Sequence, residues 1–311
     1  MKKIFVLAVA LMCTAITVSA QDMGEATETA KAANEALMAG DNATALAQFK
    51  SALEMAEACG GEGMELVETC KGIIPKILLS ESKSEIKNKN YDSAIAKLKE
   101  TIDTAKEYGN DEVASSGLEL IGQVMNQKAG ELLTNKDFAG AVEAYKEILA
   151  NEPENGIAAL RLGMAQASLG NTDEAVAAYE TAIANGQEKQ ASKQLSTIYL
   201  KKAQASLKAG KYADAIADCE KSNSYVESAN AYKIAASAAT KLDKKDAAIE
   251  YYEKYIEVAP NAQDANGIIC TLAVLYQQKG NKEKALENYE KIQTDPKYGE
   301  TAKAQIAALK K

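Results

Sequence analysis

The sequence predicts an all-α protein built from a series of antiparallel helix pairs, and three observations support this fold class. A pattern of Gly, polar residues and then Ala-hydrophobic-x-x-aromatic appears three times, and four related copies bring the total to seven. A recurring unit of this kind is typical of helical repeat proteins. Outside the first twenty residues no segment alternates β-branched and polar residues as a strand does. Aromatic residues make up only 5% of the chain, so the rings that fill most sandwich and barrel cores are scarce.

The first twenty residues have the features of a cleaved secretory signal. Two lysines precede an apolar stretch at residues 4–18, and a small-residue cleavage pattern ends at Ala20 before the polar Gln21. The apolar stretch is shorter than the roughly 20 residues that cross a bilayer. Met12 stands where a lipoprotein signal has a small residue before Cys13. We therefore expect a periplasmic or secreted protein, with a mature chain from Gln21 and no stable membrane anchor after cleavage.

The composition excludes most familiar catalytic and cofactor sites. The chain contains no His and no Trp, which removes Ser-His-Asp triads, Cys-His dyads and His-ligated zinc. No Walker loop, GxGxxG motif or calcium loop is present. Acidic pairs such as Asp173 and Glu174 are expected on the outer faces of helices, where ion pairing along the helix and solubility account for their presence. We expect no enzymatic activity, no catalytic residue, no cofactor and no metal site.

The charge balance argues against nucleic acid as a partner. The net charge of −8 becomes −10 once the two N-terminal lysines are removed with the signal. Arg161 is the only arginine, and lysine does not reproduce the bidentate contacts by which arginine binds phosphate or guanine.

Four cysteines remain after residue 20, and two of them could form a disulfide in an oxidising compartment. Cys59 and Cys70 flank a glycine-rich turn at residues 60–63. If the next helix begins directly after this turn, Cys70 lies roughly 9 Å along its axis, which exceeds the usual Cα separation of a disulfide. A bridge and two buried thiols both remain open at this point. Cys219 and Cys270 have no CxxC partner and fall on apolar helix faces.

Seven copies of the repeated pattern share one register. Each has an alanine in its second helix, a large apolar or aromatic residue (in one copy a cysteine) four positions later, and a small residue twelve positions earlier. The alanines are Ala45, Ala94, Ala141, Ala175, Ala215, Ala248 and Ala285. The residues after them are Phe49, Leu98, Tyr145, Tyr179, Cys219, Tyr252 and Tyr289. The residues before them are Ala33, Ser82, Ala129, Gly163, Ala203, Ala236 and Ala273. A ring on one helix can pack closely only against small residues on the other.

Glycines mark the turn between the two helices of several copies. Gly40, Gly170, Gly210 and Gly280 fall where the first helix should end, and a tight turn there needs the left-handed conformation. Asp41, Asn171 and Asn281 follow, which are residue types that cap the next helix.

These residues resemble the tetratricopeptide repeat, which has a period of about 34 residues and an Ala, an aromatic and a closing Pro at these positions. Pro153 and Pro260 fall where the family places its proline, and Pro296 is one residue early. The resemblance covers nearly the whole chain after the signal. It implies a right-handed superhelical solenoid of antiparallel helix pairs, with about seven repeats, similar to exported bacterial members of the family.

The spacing of the repeat alanines is uneven, at 49, 47, 34, 40, 33 and 37 residues. Apolar periodicity continues across Pro75, which predicts a first helix about two turns longer than usual in the second copy, and the third copy is extended in the same way. We therefore expect irregular repeats with long helices at residues 24–135 and regular repeats at 136–298. Residues 299–311 should form a capping helix.

The resemblance also implies which residues face a partner, since first-helix positions line the concave groove in the family. Carried to this sequence, the candidate groove residues are Gln123, Asn126, Ile157, Leu160, Met164, Leu200, Gln204, Asn230 and Lys233. The wall is largely uncharged, and Ser237 stands where the chaperone-binding members have an Asn. We take Leu160 and Met164 as apolar anchors. The alternative, in which both pack against the next repeat, remains equally open.

Three tyrosines on one helix suggest a second kind of site. Tyr251, Tyr252 and Tyr255 could stack a sugar or an aromatic ligand. Tyr252 and Tyr255 are also explained by packing, whereas Tyr251 is expected at the surface.

These observations favour a non-catalytic exported scaffold that binds a protein or peptide of the cell envelope in the groove. The alternative is a soluble receptor for a small molecule or glycan. The neutral, amide-containing groove positions favour the scaffold, since a glycan receptor needs exposed rings.

Overall fold

The structure is a computed structural model that describes residues 20–311. The expected signal segment lies outside the described residues, apart from Ala20, which begins the first helix. The chain divides into two compact units, one ending at Glu131 and one beginning at Leu132, whereas the sequence pattern placed the division after residue 135. Residues 20–311 contain helices and no β-strand, which confirms the predicted fold class.

The first unit contains two complete helix pairs, followed by the helix in which the unit boundary lies. A short 3-10 helix, Gly60–Gly63, joins the two pairs. The helices are α1 (Ala20–Met38), α2 (Asn42–Ala58), α3 (Met64–Lys87), α4 (Tyr91–Glu107) and α5 (Asp111–Thr134).

The second unit consists of one leading helix, four helix pairs and a final helix. The leading helix is α6 (Phe138–Asn151), and the final helix is α15 (Gly299–Leu309). The pairs are α7 (Gly156–Leu169) with α8 (Thr172–Ala184), α9 (Glu188–Lys208) with α10 (Tyr212–Tyr225), α11 (Ala229–Lys241) with α12 (Lys245–Val258), and α13 (Ala265–Gln278) with α14 (Lys282–Lys291).

The three repeat positions form the buried seam of each pair. All seven repeat alanines are fully buried, and the residues four positions later and twelve positions earlier are buried as well. In the fourth copy the packing is especially close, because a Cβ added to Gly163 would lie 2.7 Å from two ring carbons of Tyr179. The predicted register is therefore confirmed.

The turn between the helices of a pair uses a left-handed residue in every copy. Gly40, Gly170, Gly210 and Gly280 have φ values of 80°, 85°, 75° and 76°, as expected. In the other three copies the equivalent position, five residues before the repeat alanine, is not glycine. It is occupied by Lys89, Lys136 and Asp243, with φ values of 61°, 64° and 55°. These residues adopt a conformation that favours glycine.

Side-chain caps follow several of these turns. Asp41 Oδ1 accepts from the Thr44 amide at 3.1 Å and Asn281 Oδ1 accepts from the Lys284 amide at 3.1 Å, as expected. Asn171 occupies the cap position, but its Nδ2 donates instead to Gln166 at 2.8 Å.

Four first helices are longer than the 13 or 14 residues of α7, α11 and α13. One of them is α1, with 19 residues. α3 and α5 have 24 residues each, and α3 continues through Pro75, as the sequence predicted. α9 has 21 residues, although the sequence pattern placed it among the regular repeats. The 40-residue spacing before Ala215 reflects this extra length.

The final helix closes the core of the last pair. Ala302 of α15 is fully buried beside Tyr289, and Ile306 and Leu309 pack against the same cluster. Within residues 20–311 no helix combines the length and apolarity that crossing a membrane requires.

Candidate functional site

The candidate anchors on α7 differ in exposure. Met164 is 42% exposed and Ile157 is 51% exposed, and both lie on the outward side of the helix. Leu160 is only 6% exposed and packs with Tyr179, Ala191 and Leu195. The assignment of Leu160 as an exposed anchor is therefore wrong, because its side chain is buried in a cluster with residues of α8 and α9. The packing alternative holds for Leu160, whereas Met164 remains open to solvent.

Arg161 lies between these exposed apolar residues and adds a charge that the sequence analysis did not assign to the site. Its guanidinium lies near the buried Tyr145 hydroxyl. Burial raises the pKa of Tyr145, and Arg161 partly counteracts that rise, although the hydroxyl has no well-formed hydrogen bond. Within residues 20–311 no carboxylate pairs with Arg161. An anionic group next to an apolar partner side chain would complement it.

The candidate groove residues on the first helices after α7 differ in exposure and in their contacts. Gln204 and Asn230 are exposed, while Leu200 is half-buried against the cluster around Ala203. Lys233 is engaged by Asp264, whose other carboxylate oxygen accepts from the Tyr255 hydroxyl. Lys233 therefore already forms an ion pair within the chain, at the protein surface.

Two candidate residues belong to the first unit. Gln123 Nε2 donates to Glu119 Oε1 at 3.2 Å, and Asn126 Nδ2 donates to the Gly122 carbonyl at 2.9 Å. Gln123 is exposed and Asn126 is half-buried. Both side chains make local helix contacts in α5.

One exposed apolar residue was missed. Val274 on α13 is 39% exposed and occupies the position equivalent to Met164, since each directly follows the small residue of its first helix. Extending the repeat register to the last copy would have identified it.

The tyrosine cluster on α12 does not form an open stacking platform. Tyr252 and Tyr255 are 8% and 5% exposed, so both belong to the core. Tyr251 is half-buried and packs against the clusters on either side of it. Its hydroxyl donates to Glu220 Oε1, and burial and this hydrogen bond raise its pKa. The expectation that Tyr251 lies at the surface is therefore wrong, because it spans the crevice between two helix pairs.

Tyrosine–carboxylate hydrogen bonds recur between successive second helices of this unit. Tyr225 donates to Glu180 Oε1 at 2.9 Å, and its ring stacks on Tyr199 with centroids 6.0 Å apart. Burial, together with the Glu180 carboxylate, raises the pKa of Tyr225 to about 12. Such charge-assisted bonds couple one repeat to the next.

The described cysteines are free thiols, which leaves no bridge between Cys59 and Cys70. Burial raises the pKa of Cys70 and Cys270, and burial raises that of Cys219 to about 12. A buried thiol with a raised pKa is a poor nucleophile. Among residues 20–311 no group of three metal-ligating side chains comes together.

Models of known protein families match most of the second unit. Family models of the tetratricopeptide repeat match residues 127–189, 229–262 and 267–294. A model of anaphase-promoting complex subunit 5 matches residues 77–128. No curated protein matches the chain.

Several solved structures are similar to the chain. MamA (residues 41 to the end) from Desulfovibrio magneticus RS-1 is 18% identical over 55% of this chain and 92% of that chain, with a TM-score of 0.31. PilW, a widely conserved type IV pilus biogenesis factor, is 16% identical over 75% of this chain and 98% of that chain, with a TM-score of 0.31. A thermophilic TPR protein of Thermus thermophilus is 18% identical over 60% of this chain and 98% of that chain, with a TM-score of 0.27. Likeness at this level carries no information about a partner.

Proposed function

We propose that this chain, which is a tetratricopeptide-repeat protein, is a non-catalytic scaffold that binds a protein or peptide on the exposed first-helix face of its second unit. Proteins of this repeat type generally bind other proteins. The observation that carries the proposal is the surface of α7, where Ile157 and Met164 are exposed on either side of Arg161, which has no described ion-pair partner. Interface energy concentrates in a few such residues.

The geometry favours a segment that presents an apolar side chain next to a carboxylate. Met164 offers a flexible apolar contact that adapts to the shape of its partner. Arg161 offers a planar cation for a carboxylate. The exposed amide of Gln204 on the next first helix could bond to a peptide backbone. A glycan receptor finds less support, since the rings of Tyr252 and Tyr255 are buried.

We also propose that the partner belongs to the cell envelope and that the chain is exported. Support comes from the two lysines, the apolar stretch and the small-residue pattern that ends at Ala20. Cleavage there would leave α1 with all its described residues except Ala20. N-terminal sequencing of the native protein should begin at Gln21.

The test of the scaffold uses two variants of similar chemistry. A partner is first captured from an envelope extract with the full chain and then purified. Its affinity is measured for the wild type, for Met164→Glu and for the control Val258→Glu. Val258 is 39% exposed, a fraction similar to the 42% of Met164. It lies at the end of α12, which is the second helix of its pair. We expect Met164→Glu to weaken binding at least tenfold, which is about 1.4 kcal/mol, and Val258→Glu to leave it unchanged.

Stability decides how a loss of binding is interpreted. Denaturation midpoints of both variants should stay near that of the wild type, because both side chains are surface residues. If the stable Met164→Glu variant binds as tightly as the wild type, the α7 face is not the binding site. Equal loss in both variants would indicate a general effect of added charge.

A further inference from the structure

A small cavity of about 220 Å³ lies in the crevice between α12, α13 and α14 of the second unit. Its apolar wall is formed by Leu272, which is 3% exposed, and by half-buried Ile256 and Ile269. The volume is below the roughly 300–1,000 Å³ of pockets for drug-sized ligands. The cavity therefore suits one large side chain rather than a whole ligand of that size.

The rim of this cavity presents acceptor oxygens that nothing in the described chain uses. Glu253 Oε1 accepts from the Tyr276 hydroxyl and lies 3.5 Å from Lys284 Nζ, but Glu253 Oε2 has no partner among residues 20–311. Asn288 is 8% exposed, and its Nδ2 donates to the Lys284 carbonyl at 2.8 Å. Its Oδ1 accepts from no described group. An apolar wall beside free acceptors favours a ligand that combines an apolar body with one O–H donor.

In the preceding crevice of the same unit, a tyrosine side chain of the chain itself has this combination of an apolar ring and one O–H donor. There the Tyr251 ring packs against the clusters on both sides, and its hydroxyl donates to Glu220. Glu220 and Glu253 are equivalent, since each lies five positions after its repeat alanine. Tyr251 and Asn288 are also equivalent, since each lies three positions after its alanine. The ring that closes one crevice is thus replaced by a small amide in the next.

The crevice before that is closed by a tyrosine as well. Tyr225 reaches the third equivalent glutamate, Glu180, although its ring comes from a different position of the repeat. Two successive crevices therefore hold a second-helix phenol on the equivalent carboxylate. Glu253 instead accepts from Tyr276 of the first helix α13, and no second-helix ring fills the crevice at Asn288.

We propose that the crevice between α12, α13 and α14 binds an exposed tyrosine side chain of a partner protein. The ring would lie against Ile256, Ile269 and Leu272, and the phenolic O–H would donate to Glu253 Oε2. This site lies between α12, α13 and α14 and shares no residue with the α7 face.

The experiment titrates p-cresol, the tyrosine side chain as a free molecule, into the isotope-labelled full chain. Amide chemical shifts are followed by NMR. We expect saturable shifts confined to α12, α13 and α14. Asn288→Tyr, which places the chain's own ring in the crevice as in the preceding repeat, should weaken the response at least tenfold. Asn288→Ala, at the same position, removes the amide acceptor but leaves the cavity open, so it should weaken the response less than Asn288→Tyr.

Two further variants make the test independent of any single substitution. Tyr251→Ala should open the preceding crevice and add a second set of saturable shifts around Glu220. Ile256→Trp should fill the cavity from the opposite wall and, like Asn288→Tyr, remove the response. Circular dichroism checks that each variant is folded.

The outcomes distinguish a tyrosine side chain from a free phenol. N-acetyl-L-tyrosinamide should shift the same amides as p-cresol. If only p-cresol binds, the site takes a small free phenol and the partner assignment is overturned. An absence of saturable shifts in the wild type, or a response that persists in folded Asn288→Tyr, would overturn the site itself.

Discussion

Replacing Gly163 by alanine should destabilise the fourth helix pair, although alanine is the better helix former. The new Cβ would lie 2.7 Å from Cδ1 and Cε1 of Tyr179, whereas carbon atoms in contact are about 3.5–4.0 Å apart. The ring is 1% exposed and enclosed by Leu195 and neighbouring alanines, so it has little room to move away.

The magnitude follows from two opposing effects. Overpacking a filled core costs about 1–3 kcal/mol, while replacing glycine by alanine inside a helix contributes about 1 kcal/mol of stability. We expect a net loss of up to about 2 kcal/mol for Gly163→Ala. The control is Gly72→Ala in α3, where an added Cβ meets nothing within 4 Å. That change should stabilise by up to about 1 kcal/mol.

A double-mutant cycle tests whether Tyr179 is the cause. The second copy pairs Ser82 with Leu98 at the equivalent positions, so Tyr179→Leu should relieve the overlap. In that background Gly163→Ala should become neutral or stabilising, with a coupling energy of about 2 kcal/mol.

The assay combines urea denaturation with hydrogen exchange of the α7 and α8 amides. Hydrogen exchange is needed because repeat proteins do not always unfold in one transition. A higher midpoint for Gly163→Ala in the wild type, or the same effect in both backgrounds, would refute the close-packing explanation.

Two other predictions concern the turns and the inter-repeat tyrosines. Asp243→Gly should raise the thermal midpoint, by an amount equivalent to about 0.5–1 kcal/mol of stability, because it removes the side chain from a residue in the left-handed conformation. Gly170→Ala should lower the thermal midpoint. A lower thermal midpoint for Asp243→Gly would contradict strain at that turn. Tyr251→Ala should cost about 1–2 kcal/mol through lost packing and the lost bond to Glu220, while Tyr179→Ala should cost about 3–5 kcal/mol as a core truncation. Urea midpoints in the reverse order would contradict the register.

The buried seam could be predicted from the sequence because it depends on residue size at fixed spacing. Each copy has a small residue, an alanine and, four positions later, an aromatic residue, a leucine or a cysteine. This combination leaves few ways to pack two helices, and the structure buries all of these residues. The turn at Asp243 was not predicted, because glycine was taken as the only signal for a left-handed residue. Its position, five residues before Ala248, was available in the repeat register.

The site was less predictable, because exposure depends on neighbouring helices. Leu160 and Met164 are alike in residue type and lie one turn apart, yet only Leu160 is buried in the cluster with residues of α8 and α9. The extra length of α9 could be recognised in the alanine spacing, but the sequence did not show which of the two side chains would be buried. The prediction that Tyr251 is a surface residue was wrong for a related reason, since the residues that cover its ring belong partly to the preceding repeat and not to its own helix.

The tyrosine–carboxylate bonds between helix pairs also determine how the fold responds to acid and base. Burial, together with a neighbouring carboxylate, raises the pKa of Tyr225 and of Tyr255 to about 12. The stability that these groups contribute is complete below the unfolded pKa near 10 and is lost as pH rises through about 12.

The pKa of Asp264 shifts in the opposite direction. Lys233 and then Tyr255 lower the pKa of Asp264, so its contribution is present above the unfolded value near 3.8 and is lost as pH falls further. The chain contains no histidine, the one side chain that ordinarily titrates near neutrality. Protonation should therefore unfold the protein only in strong acid and deprotonation only in strong base, and moderate acidification of its surroundings should leave the stacked helix pairs intact.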